Sequence, residues 1–391
     1  MYEGLGNQPL FLEKDTMGKP NFQRFACLAA LVAMSPAAAQ DMATELKRGQ
    51  WRIDAEQTRF SAVLDGRLLE DEKSAVRNGT DRVDSWARSE WRASWRPESA
   101  PWDLQWGAFV DTQVHVDGAG ARAAARINNQ VVGAPGTRYP FELESVKVRR
   151  LGVSTARGIE SNAGGLLPAR WTVVGSVFAV DQFKSANARG VLQDRAGANL
   201  ALQANVVENE LGKQSTFIRP EKILGWGLAV DVSAVWGQLD ANFLRLSVED
   251  LGPSVRLSQV LGTDRTINTD TVSFDEDGYV QFAPAINGLY VNRRTSVRIK
   301  PEIRMEAGWQ QRPGQRWLGS LIKHGARQEA ALVYQQALSG YRLDVGAHAL
   351  ANMPGSISVG LFAPRWGVSW RGDSVRPSKA RIWGLAGHFA Y

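Results

Sequence analysis

Residues 380 to 391 read A-R-I-W-G-L-A-G-H-F-A-Y, and their alternation decides the fold. Counting back by twos gives Tyr391, Phe389, Gly387, Leu385, Trp383 and Arg381 on one parity. The other carries Ala390, His388, Ala386, Gly384 and Ile382. A strand turns successive side chains to opposite faces, so this is a strand with one greasy face and one small or polar face. Left open, an aromatic last strand is a sticky edge; a closed barrel in a membrane pairs that edge with the first strand. The stretch therefore predicts an all-β, antiparallel transmembrane β-barrel closed by its C-terminal strand.

Toward the other terminus, Lys19 and Arg24 precede an apolar run, Phe25 to Met34, and Ala37-Ala38-Ala39 follows as a small-residue cleavage site before Gln40. The run is too short to span a bilayer as a helix and reads as an export signal. Residues 1–39 are accordingly expected to be an upstream extension plus a cleaved signal peptide. Residues 40–57 are expected to be a polar periplasmic lead-in or small plug, and residues 58–391 the barrel. Cleavage would remove Cys27, the one cysteine, which leaves no disulfide or thiol chemistry in the remainder.

The formal charge of +6 is spread through alternating segments with no basic run or stripe, which argues against nucleic-acid binding. No apolar stretch of about 20 residues follows the signal, so transmembrane helices are not expected. Fourteen tryptophans and 38 glycines suit a barrel, with aromatics at the membrane interfaces and small residues inside.

Alternating segments recur from Thr58–Leu69 onward, among them Ser85–Arg96, Asp103–Asp117, Phe141–Arg157 (with an expected bulge or register change), Trp171–Asp181 and Ile223–Trp236. The sharpest is Thr295–Gln310. Val297, Ile299, Ile303 and Met305 oppose Arg298, Lys300, Glu302, Arg304 and Glu306, with a bulge expected at Pro301. Ser356–Trp370 reads as one strand. At roughly 22 to 28 residues per strand with its share of loop, the chain from Gln40 onward predicts about 14 strands within a range of about 12 to 16.

A lipid-facing Arg or Lys at mid-membrane costs about 2 to 4 kcal/mol, so the charged parity must point inward. The predicted lumen-lining residues are Arg88, Arg92, Asp103, Asp111, Arg298, Lys300, Glu302, Arg304 and Glu306. Whether opposite charges pair across the lumen decides between a plug and a pore. None of the four histidines has metal-ligand spacing or a serine within two positions, and neither a nucleophile elbow nor a phosphate loop occurs. No catalytic residue, metal or cofactor is expected.

The terminal strand resembles the C-terminal signal strand of Gram-negative outer-membrane β-barrel proteins. That resemblance implies that Trp383, Leu385, Phe389 and Tyr391 are read as an insertion signal by the barrel assembly machinery. Residues 225–253 resemble the glycine-and-aspartate hairpin of fatty-acid-transporter-like and conjugal-transfer-associated barrels, over under a tenth of the chain. The expected location is the bacterial outer membrane, with its lipid and lipopolysaccharide as surroundings. The expected role is a porin-like channel or transporter for small solutes. The alternative is a narrow structural barrel, without conductance, that works with envelope proteins of a secretion, conjugation or surface-polymer system.

Overall fold

The computed structural model describes residues 49–61, 82–98, 102–121, 134–160, 170–195, 200–212, 225–239, 241–269, 272–274, 280–282, 286–325, 327–351, 355–375 and 380–391. The expected signal peptide and the start of the lead-in lie outside the described residues. In chain order the strands are β1 (Trp51–Ser61), β2 (Arg82–Trp95), β3 (Trp102–Asp117), β4 (Arg138–Glu160), β5 (Arg170–Asp194), β6 (Leu200–Leu211) and β7 (Gly225–Gly237). There follow β8 (Phe243–Leu251), β9 (Val255–Asn268), β10 (Val272–Phe274), β11 (Val280–Phe282), β12 (Ile286–Val297) and β13 (Glu302–Arg312). The last are β14 (Gln315–His324), β15 (Arg327–Leu338), β16 (Tyr341–Leu350), β17 (Ser356–Phe362), β18 (Trp366–Gly372) and β19 (Ile382–Ala390).

Following the pairings from β1 through β2, β3, β4, β5, β7, β8 and β13, then β14 to β19, returns to β1. Every pairing is antiparallel, so the chain is a closed 14-strand barrel. Both described ends of the chain lie on one side, with short turns such as those at Gly314 and Gly340. The glycines at these two turns have φ of +78° and +74°, a conformation that side chains resist. The strand ends Ser61 and Arg82, and Asp117 and Arg138, stand on the other side, which we call the loop end. Gly118–Ala121 forms a helical turn directly after β3.

The wall forks at β5. Its first half pairs with β7, while its second half, Lys184–Asp194, pairs with β6. Strands β6, β9 and β12 then continue as a sheet at the loop end. Asp181 is the extra residue at the fork, because Arg150 faces Val180 and Arg149 faces Gln182. The register thus shifts between Arg149 and Arg150, inside the segment Phe141–Arg157 where a bulge or register change is expected, with the extra residue on the partner strand β5.

Outward positions are apolar and exposed, for instance Trp226 (68 %), Leu228 (58 %), Leu321 (57 %) and Ile357 (57 %). A soluble monomer rarely shows such a continuous belt, whereas lipid demands it. Trp226 and Trp236 end the outward row of β7, about 33 Å apart along the strand and about 25 Å apart in height at a tilt of about 40°, the height of a barrel's apolar band.

Three expectations need correction. The first strand begins at Trp51, so residues 51–57 belong to the barrel wall and not to a lead-in. Thr295–Gln310 is two strands, β12 and β13, separated at residues 298–301, because Pro301 lacks the donor needed to continue a ladder. Ser356–Trp370 is also two strands, β17 and β18, joined by a turn at 363–365.

Candidate functional site

Along β13 the buried residues are Glu302, Arg304, Glu306 and Gly308, while Ile303, Met305 and Trp309 are exposed. The charged parity therefore points into the barrel. Its partners confirm the direction: Arg88 Nη1 on β2 lies 3.5 Å from Glu302 Oε2. Five strands separate β2 from β13 one way round the ring and seven the other, so this contact crosses the lumen.

Around this contact the charges form a layer. Arg304 Nη2 donates to Glu302 Oε1 at 2.5 Å, and Arg245 Nη1 to Glu306 Oε2 at 3.4 Å. Arg150 grips Asp250 with two bonds of 2.5 and 2.9 Å and lies 3.5 Å from Asp111. Its guanidinium also stands over the Phe109 and Phe178 rings, at 5.0 and 5.4 Å. Asp103 pairs with Arg96, and Arg92 with Glu90 at 2.9 Å. A charge buried this deeply is tolerable because each has a partner; removal of one partner strands the other.

Apolar clusters bracket the layer toward the loop end. Phe60, Trp86, Leu350 and Ile382, from four strands, meet in one buried cluster, and the Arg327 guanidinium lies 4.8 Å from both the Phe60 and Trp86 rings. On the facing wall Val255, Leu257 and Val260 of β9 pack with Phe178, Val180 and Val297. Gly225 and Gly227 leave room for them: a Cβ at 225 would sit 2.4 Å from Leu257, and one at 227 would sit 2.5 Å from the Phe178 ring.

Toward the short-turn end the lumen opens into a cavity of about 280 Å³ that reaches from Arg96, Arg170 and Leu239 up to Arg88, Glu302 and Arg327. Its lining carries eight arginines (52, 88, 92, 96, 170, 245, 304 and 327) and six carboxylates (Asp54, Glu56, Glu90, Asp103, Glu249 and Glu302). The excess of positive charge favours anions in the space.

Of the residues predicted inside, Arg88, Arg92, Asp103, Asp111, Glu302, Arg304 and Glu306 come together in or beside this layer. Arg298 and Lys300 do not. Both are exposed on the connection before β13, and Lys300 Nζ donates to Gln113 Oε1 at 2.8 Å at the rim. The parity that places 302, 304 and 306 inside does not extend backward through Pro301, where the ladder stops.

Sequence alternation also misplaces Asp250, whose parity is that of outward-facing Leu244 and Leu246. A bulge sets Val230 against Leu251 and Val232 against Val248, and Asp250 adopts φ of +60°, unusual for a residue with a side chain. The twist turns its carboxylate inward to Arg150, and its N–H donates to Asp231 Oδ1 at 2.7 Å. A further group escaped sequence reading: His348 meets Glu329 at 3.1 Å and Ser358 at 2.8 Å, from three adjacent strands. Nothing in local spacing signals it, since the partners lie 19 and 10 residues away. Among the described residues no group of His, Cys, Asp and Glu could hold a metal ion.

No protein-family model matches the chain, and no curated protein matches it. Among solved structures it is similar to the TodX deltaS2S3 mutant monoaromatic hydrocarbon channel (9 % identity, 92 % of this chain and 95 % of that one, TM-score 0.43). It is also similar to the translocator domain of autotransporter NalP from Neisseria meningitidis (6 % identity, 94 % of each chain, TM-score 0.31). A third is the outer membrane protease OmpT from Escherichia coli (8 % identity, 88 % of this chain and 94 % of that one, TM-score 0.26). The chain's own strand pairings, with β19 closing on β1, make it a 14-strand antiparallel β-barrel.

Proposed function

We propose that the protein is an integral β-barrel of the bacterial outer membrane that acts as a channel for small polar solutes, with a preference for anions, and that its lumen is closed here near the loop end. One observation carries the reading: a charged cavity of about 280 Å³ inside the closed ring ends at the Arg88–Glu302 contact. Fixed charge along a water-filled path sets the local counter-ion concentration, and an ion pair across that path closes it. The export signal, the lipid-facing belt and the aromatic last strand support delivery to the outer membrane and insertion there by the assembly machinery.

Bilayer recording tests this. Wild-type protein should conduct in brief openings, and Glu302→Gln, which weakens the hold on Arg88 and Arg304, should lengthen them and keep anion selectivity. Silence from folded wild type and folded Glu302→Gln alike would overturn the channel. It would favour the packed structural barrel, a reading supported by the apolar clusters around Phe60 and Val260 that pack inside the loop-end half of the barrel.

A further inference from the structure

The inner wall formed by β15 to β18 carries polar groups outside the charged cavity. Glu329 of β15, His348 of β16 and Ser358 of β17 all face inward and are 5, 4 and 6 % exposed. His348 Nδ1 lies 3.1 Å from Glu329 Oε1, and Nε2 lies 2.8 Å from Ser358 Oγ. Glu329 accepts from Arg327 at 2.5 Å and from Arg371 at 2.6 Å, which holds it as a carboxylate. An ionised Glu329 places the imidazole proton on Nδ1 and leaves Nε2 to accept the serine hydroxyl proton.

Two neighbours complete the arrangement. Gly346 faces Ser358 across the β16–β17 ladder, and a Cβ there would come 2.5 Å from Ser358 Oγ and 3.2 Å from His348 Nε2. The missing side chain is thus what lets the hydroxyl and the imidazole meet. On the other side Arg371 stands opposite Ser358 in the β17–β18 ladder. Its Nε donates to Ser356 and its Nη1 to Glu329, while Nη2 is buried with no partner among the described residues. Arg371 is 3 % exposed, so a guanidinium nitrogen without an acceptor there calls for one.

We infer that Ser358, His348 and Glu329 form a nucleophile, general base and orienting carboxylate for acyl transfer from a small ester inside the barrel. The geometry is that of an activated serine, in which nucleophile–base and base–orienter bonds both lie near 3 Å. Ser358 Oγ attacks the ester carbonyl carbon and its proton passes to His348 Nε2. The oxyanion meets the Nη2 hydrogens of Arg371. Collapse breaks the ester C–O bond, and the departing alcohol takes the proton from His348. Water then repeats the sequence on the acyl-serine, releases the acid and restores Ser358. Glu329 touches no reacting atom and is a positioning residue.

Diisopropyl fluorophosphate is the probe, applied to full-length protein in detergent micelles, with heat-dependent gel migration as the check on folding. Wild type should acquire one phosphoryl adduct, mapped to Ser358, and should hydrolyse p-nitrophenyl acetate. Ser358→Ala should abolish both. His348→Gln should slow labelling about a hundredfold or more, the range of general-base contributions. Glu329→Gln should slow labelling and change its pH profile, which loss of a merely structural bond would leave in place. Absence of an adduct on Ser358 in folded wild type, which needs no variant, overturns the inference. So does labelling of folded His348→Gln at the wild-type rate.

Discussion

Trp51 and Tyr391 exchange two backbone hydrogen bonds: the Trp51 N–H donates to the Tyr391 carbonyl and the Tyr391 N–H to the Trp51 carbonyl, each at 3.1 Å. The first residue of β1 and the residue after β19 thus form the rung that closes the ring. Next to it Ile53 faces Phe389 and Arg59 faces Trp383 along the same seam. Loss of the terminal residues removes this rung and leaves the start of β1 as an edge.

Removal of Phe389, Ala390 and Tyr391, or replacement of Phe389 and Tyr391 by Asp, is expected to abolish outer-membrane assembly and leave degraded or periplasmic protein. Fractionation and immunoblotting measure it. Normal outer-membrane levels of either variant would show that the seam does not need these aromatics.

Single cysteines in a Cys27→Ser background should report the corrected register of residues 298 to 305. A water-soluble maleimide should react at positions 298 and 300, which lie on the exposed connection, and should fail at 303 and 305, which face lipid. Positions 302 and 304, inside the charged layer, should react slowly. Fast labelling at 303 or 305 in proteoliposomes would contradict the assigned faces.

Gly308 lies under a ring. A Cβ there would come 2.2 Å from Phe243 Cε1, so Gly308→Ala should cost about 1 to 3 kcal/mol through overpacking. Phe243→Leu in the same chain should recover part of the loss. Urea midpoints of the refolded proteins provide the comparison; additive losses would mean that the two sites do not touch.

Asp250 combines a left-handed backbone with a bidentate hold on Arg150. Asp250→Ala should cost about 3 to 5 kcal/mol, because it leaves a buried guanidinium short of a partner and puts a residue less tolerant of positive φ than Asp on that backbone. Asp250→Asn keeps a residue tolerant of that backbone and should fall between wild type and Ala. The order of denaturation midpoints tests this, and equal values for Asn and Ala would remove the backbone from the explanation.

Much of the wall is legible in the sequence because each strand writes its two faces into alternate residues. The outward row from Trp226 to Trp236 and the inward set Glu302, Arg304 and Glu306 follow from parity alone. Parity fails where the ladder is interrupted. Pro301 resets the faces before β13 and so releases Arg298 and Lys300 to solvent, and the bulge at Asp250 turns an outward-parity carboxylate to the lumen. Strand β9 and most of β12 were not legible: β9 packs partly against the inner wall, and its alternation from Val255 to Ser258 breaks at Gln259-Val260-Leu261-Gly262. The cluster of Glu329, His348 and Ser358 was hidden for another reason, because ladder register brings distant residues face to face and a single chain carries no mark of register.

The fork in β5 bears on how the wall can form in time. Strand β6 precedes β7 in the chain, yet β7 takes the place beside the first half of β5, so the wall cannot zip up hairpin by hairpin. Strand β8 must then wait for β13: Arg245 and Glu306, a facing pair, are 61 residues apart, with β9 to β12 made in between. Closing so long a loop requires ordering before any contact rewards it, which makes the β8–β13 junction a candidate for the slow step of folding. A circular permutant cut in the connection between β11 and β12 would turn that closure into a choice between two chain ends, and its refolding rate would reveal whether the junction sets the pace.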